Sequence, residues 1–202
     1  MLLLKAAVWL LGLYPLGRVA WWLRDGLLGL GANPIEKVLH HTGWWALTLL
    51  MVTLAVTPLR RITGRNELIR LRRPLGLFAF FYATLHVATY VVLDLFFAWD
   101  LILADILKRP FITAGMVAFV TMVPLALTST RGWIRRLGRR WQLLHRLVYV
   151  SAIAAAIHYL WKVKVVIGSP VYYAAIVAGL LLFRLAWALR ARRRSALQAA
   201  DT

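Results

Sequence analysis

The sequence predicts an all-α fold, a polytopic membrane bundle of six transmembrane helices. Three observations carry that expectation. Of the 202 residues 62% are hydrophobic, and the mean hydropathy is +0.72, too apolar for one soluble core. The apolar residues fall into six stretches near the roughly 20 residues that a helix needs to cross a bilayer. Basic clusters follow every second stretch, as the positive-inside rule requires.

The first stretch, 6–23, follows MLLLK, with Lys5 as the one charged side chain ahead of it. It lacks the small-residue cleavage site of a signal peptide, so it reads as a retained first helix. The second, 42–59, is opened by His40 and His41, read as water-facing residues at a helix start. The third, 74–95, carries His86, and the fourth, 110–128, is free of charge. The fifth, 143–162, carries His145 and His158, and the sixth is 170–189. Connections are short, so one domain, 1–202, is expected, and internal repeats are not evident.

The net charge of +18 does not imply nucleic acid, because Lys and Arg cluster between spans instead of covering one face. RRITGRNELIRLRR (60–73), RGWIRRLGRR (131–140) and RARRR (190–194) follow spans two, four and six. All three, and both termini, are expected in the cytoplasm. Trp21, Trp22, Trp44, Trp45, Trp141 and Trp161 read first as interfacial aromatic belts. The absence of cysteine excludes disulfides, thiolate metal sites and iron–sulfur clusters.

Ionisable side chains within a span are costly and usually face the bundle interior. Counted at about 1.5 Å per residue from the basic edges, His86 stands roughly 20 Å up and His158 roughly 25 Å, while His145 is only about 6 Å up. Imidazoles at matched depth on neighbouring helices can ligate a haem iron from both sides. SAIAAAI (151–157) leaves room for a macrocycle. The plainer reading of each histidine is an interhelical hydrogen bond. A transporter or proton channel without haem is the alternative function, although Asp94, Asp100 and Asp105 fall near the outer edge and not at mid-depth. A purely structural anchor would bind no cofactor.

Several motifs in fixed order carry a resemblance: GANPIEKVLHHTGWWAL, LIRLRRPLGLFAFFYATLHVATY, KRPFITAGM, LALTSTRGWIRRLGRRWQLLHRLVYV and IHYLWKVK. Over about residues 30–165 the chain resembles the MsrQ (YedZ) family, haem-binding membrane subunits of the MsrPQ methionine sulfoxide reductase system within the ferric reductase-like transmembrane superfamily. The resemblance implies a six-helix haem b protein of the bacterial inner membrane. It would take electrons from the quinone pool or a cytoplasmic flavin reductase and pass them to MsrP, a periplasmic molybdopterin enzyme that repairs oxidised methionines. FMN is a further cofactor that it implies.

Carried over by position, His86 matches the family's third-span histidine, and His145 and His158 match the fifth-span pair. Diheme relatives have two histidines on each of these helices, but here Arg72 and Arg73 stand where the second third-span histidine would be. One haem held by His86 and His158 is therefore expected. His145 is left for a flavin, a quinone or a second haem. Arg72, Arg73, Arg139 and Arg140 are candidates for an FMN phosphate, which guanidinium groups match in a bidentate fork, although topology alone also predicts arginines there. With no Gly-rich dinucleotide fingerprint, an external electron donor is expected.

Overall fold

The computed structural model describes residues 2–25, 30–162 and 169–200. The helices in chain order are α1 Leu2–Arg24, α2 Pro34–Thr63, α3 Arg72–Ala88, α4 Trp99–Lys108, α5 Pro110–Leu127, α6 Arg131–Leu137, α7 Arg139–Leu144, α8 Leu147–Lys162 and α9 Ser169–Ala200. A 3₁₀ turn, Asn66–Leu71, leads into α3, and a π-helical segment, Thr89–Asp94, continues it. Six helical stretches are long and apolar enough to cross a membrane. Residues 163–168, where the IHYLWKVK motif ends, lie outside the described residues.

Two antiparallel pairs, α2 with α3 and α5 with α8, form the centre and make the most extensive contacts of the bundle. They meet through α3 against α5 and α2 against α8, with α1 lying on the first pair and α9 on α8 and α2. Leu49, Leu54, Ala79, Tyr82 and Ala152 are fully buried at these seams. Where partners compete with lipid, helices associate by close packing and interhelical polar contacts more than by the hydrophobic effect. The small residues Ala79, Ser151 and Ala152 suit that geometry.

The helix ends follow local chemistry. α2 starts at Pro34 because Asn33 caps it, accepting from the Glu36 backbone N–H at 3.1 Å while its amide donates to the Glu36 carboxylate at 3.1 Å. Gly64, left-handed at φ 69°, ends it. This start lies two turns before the apolar stretch that opens at residue 42, so His40 and His41 sit inside the helix. His41 does not face water as expected. Its Nε2 lies 3.2 Å from the Pro15 carbonyl, and the Trp22 ring packs edge-on at 4.9 Å. Trp22 and Trp45 are likewise buried, where α1 leans on α2.

The fifth span runs from Arg139 to Lys162 in the structure, with a local turn at His145 and Arg146 where α7 passes into α8.

One cross-helix contact holds α1 in place. Pro15 interrupts α1, and the Tyr82 hydroxyl of α3 enters the ladder beside it, accepting from Leu16 N–H at 3.1 Å and donating to Gly12 C=O at 2.5 Å. A side chain thus bridges the bond that Leu16 and Gly12 would otherwise make directly. Tyr82→Phe leaves both backbone groups without that bridge, which costs about 1–3 kcal/mol. The expected result is a melting temperature lowered by several degrees with haem content unchanged; an unchanged melting temperature would show that α1 closes its own ladder.

Candidate functional site

The site is built from two matching constellations, one on each central helix pair. In the first, His86 on α3 places its Nδ1 2.8 Å from the Leu39 carbonyl of α2. In the second, His158 on α8 places its Nδ1 2.6 Å from the Phe111 carbonyl of α5. Carbonyl and histidine are 47 residues apart in both. A carbonyl only accepts, so each Nδ1 carries the proton and donates, which leaves the Nε2 lone pair free for a metal.

Each ring is admitted by a glycine one helical turn after that carbonyl. A Cβ on Gly43 would lie 2.8 Å from His86 Nδ1, and one on Gly115 would lie 2.8 Å from His158 Nδ1. Any side chain at either position would push the ring off its carbonyl. The arrangement Leu39–Gly43–His86 recurs in Phe111–Gly115–His158, a repeat of geometry and not of sequence. It consists of two backbone carbonyls, two glycines and two histidines, too few positions to register as sequence similarity.

The two imidazoles face each other with ring centroids 6.0 Å apart and planes at 78°. A metal–imidazole bond is about 2 Å, so one metal between two rings sets their centroids roughly 6 Å apart. Among the described residues no group of three or more His, Asp or Glu is arranged to hold a metal ion. A metal at this pair would need further ligands from outside such a cluster. The adjoining cavity has a volume of about 770 Å³ and a largely apolar lining that includes Leu47, Leu50, Met116, Phe119 and Met122. That is within the usual range for a small-molecule site, about 300–1,000 Å³. Lys37, Arg109, Lys162, Asp94 and Asp105 join the lining toward the end away from the arginine-rich loops. Arg109 pairs with Asp105 at 3.0 Å, and the Tyr90 hydroxyl donates to Asp105 at 3.0 Å.

His145 stands apart from this cavity. Its ring stacks on Trp141 with centroids 3.8 Å apart, and its Nδ1 lies 3.1 Å from the Trp141 carbonyl. Arg72, the first residue of α3, bears on it. Arg73, Arg139 and Arg140 are exposed at the same end of the bundle, whereas Arg72 is half-buried. His40 is exposed and lies 3.9 Å from Glu36.

Gly43, Gly115, the Leu39 and Phe111 carbonyls and Arg184 of α9 are absent from the sequence reading. A glycine in the middle of an apolar span, in HHTGWW and TAGM, is the signal that could have found two of them, since small residues mark close approach between membrane helices.

This is the architecture of a membrane redox protein with paired histidines on its central helices. The family described as the ferric reductase like transmembrane component matches residues 42–156. Proteins described as protein-methionine-sulfoxide reductase heme-binding subunit MsrQ are similar along nearly the whole length. That of Xanthomonas axonopodis pv. citri (strain 306) is 47% identical over 95% of this chain and 90% of its own. Those of Xanthomonas campestris pv. campestris (strain 8004) and Herminiimonas arsenicoxydans are 48% and 50% identical, over 95% and 96% of this chain and 90% and 89% of theirs. The chain belongs to the ferric reductase-like transmembrane family, in its MsrQ branch. No solved structure matches it.

Proposed function

We propose that this chain is the haem b electron-transfer subunit of a methionine sulfoxide reductase system, set in the bacterial inner membrane with both termini in the cytoplasm. The observation that carries the reading is the His86–His158 pair, each imidazole oriented through Nδ1 and free at Nε2. His86 and His158 would together hold one haem. The apolar lining excludes water, and the lysine and arginine side chains at the rim suit the carboxylates of a porphyrin. Haem b supplies a one-electron carrier that needs no proton.

The basic loops support an orientation in which the cavity mouth opens toward the periplasm. That face suits delivery to an MsrP-like molybdopterin enzyme, which would reduce methionine sulfoxide in oxidised periplasmic proteins. Electrons would enter from a quinone or a cytoplasmic flavin reductase. His86 lies about 20 Å along the helix from Arg72, so a second carrier near His145 would shorten the transfer. FMN held by Arg72, Arg73, Arg139 or Arg140 would meet that need.

The test is a spectrum of the protein purified in detergent and reduced with dithionite. Sharp α and Soret bands of a b-type haem are expected, and their absence from protein expressed with adequate haem would remove the cytochrome reading.

A further inference from the structure

In the arginine-rich half of the bundle a second polar cluster lies between α2, α3, α8 and α9. Arg184 of α9 donates from one terminal nitrogen to the Leu54 carbonyl at 2.7 Å and from the other to the Tyr149 hydroxyl at 2.9 Å. The first bond has a local cause. Pro58 stands four residues after Leu54 in α2 and has no N–H to offer that carbonyl, so Arg184 mends the helix.

Mending does not explain the rest of the cluster. The Nε atoms of Arg184 and Arg72 and the hydroxyl of Thr57 are all shielded from solvent, and none has a hydrogen-bond partner. The charges that bear on Arg72 are those of Arg184 and Arg60, both positive, with Tyr149 beside them. The ion pairs among the described residues, His40 with Glu36 and Arg109 with Asp105, lie toward the opposite end. Two guanidinium groups, Arg72 at the start of α3 and Arg184 in α9, thus bear on each other, and no carboxylate of the described residues is among the groups acting on Arg72. Such charges are costly unless paired.

We propose that Arg72, Arg184 and Thr57 form a binding site for a phosphate group, carried by a lipid headgroup, a nucleotide or free phosphate. A phosphate monoester carries close to two negative charges at neutral pH and presents oxygens that two guanidinium groups and a hydroxyl can all donate to. The site is separate from the His86–His158 pair and independent of whether haem occupies it. It lies beside His145, the remaining histidine of the span. It adds Arg184 and Thr57 to Arg72 as phosphate ligands.

The full-length protein in dodecyl maltoside, in chloride buffer, is titrated with inorganic phosphate and, in a second arm, with FMN, at matched ionic strength. In a third arm it is placed in vesicles of phosphatidylglycerol or of phosphatidylcholine. A melting temperature that rises by several degrees in at least one arm is expected, since a ligand bound only by the folded state stabilises it. A response to inorganic phosphate or FMN identifies a soluble source, and a response confined to the phospholipid vesicles, above that of detergent, identifies a headgroup. Arg72→Gln should abolish the response or weaken apparent affinity at least tenfold. Arg72 makes no side-chain hydrogen bond of its own, so this variant should fold; Thr57→Val checks the site from a second helix. No response in any arm, or the same response in Arg72→Gln and Thr57→Val, overturns the proposal. The haem spectrum recorded on the same samples scores the cytochrome reading separately.

Discussion

His86→Ala and His158→Ala should each yield a folded membrane protein without bound haem, whereas His145→Ala should keep most of it. The two imidazoles face one cavity, 6.0 Å apart between centroids, and either alone leaves one side of a metal without a protein ligand. His145 lies outside that cavity, stacked on Trp141. The measurement is the haem-to-protein ratio from the reduced spectrum of each purified variant. Removal of haem by His145→Ala with retention in His158→Ala would reverse the assignment. Partial loss in all three would point to haem shared between two positions.

Gly115→Ala and Gly43→Ala should weaken haem binding although neither glycine contacts a metal. The added Cβ would stand 2.8 Å from the Nδ1 of His158 or His86. Real Cβ contacts are not that short, so the ring must move, and the bond from Nδ1 to Phe111 or Leu39 is the first thing lost. Changes to the groups that orient a ligating histidine typically cost about 10–100-fold in affinity. Gly179→Ala is the control, because a Cβ there meets nothing within 4 Å. Haem occupancy and midpoint potential separate the outcomes: both should change in the two site variants and neither in the control. Gly115→Leu with normal haem content would mean that the ring is not held where it stands.

How far these features could be read from the chain depended on the physics behind each. The six spans and the pairing of His86 with His158 were legible, because hydropathy reports burial in hydrocarbon and the helical rise converts residue counts into depth. Helix ends were less so. The first two turns of α2, PIEKVLHH, are too polar for a hydropathy window, yet the Asn33 cap and Pro34 start the helix there. α9 runs to Ala200, past the apolar residues, because Ala and Arg favour helix in water as well. The turn at His145 and Arg146 left no trace in composition.

The site's supporting groups were hidden for another reason. A carbonyl is present at every residue, and only the pairing of α2 with α3 and of α5 with α8 selects Leu39 and Phe111. Arg184 lies within the last apolar stretch, 170–189, and only the Pro58 gap opposite it shows what it does there.

The most direct test of the central claim, that His86 and His158 bind one haem from opposite sides, is the electron paramagnetic resonance spectrum of the oxidised wild-type protein. A six-coordinate low-spin signal is expected, strongly anisotropic because the two imidazole planes cross at 78°, and it should disappear in His86→Ala and in His158→Ala. A high-spin signal from a haem with one axial histidine, or a low-spin signal that survives either substitution, would contradict it.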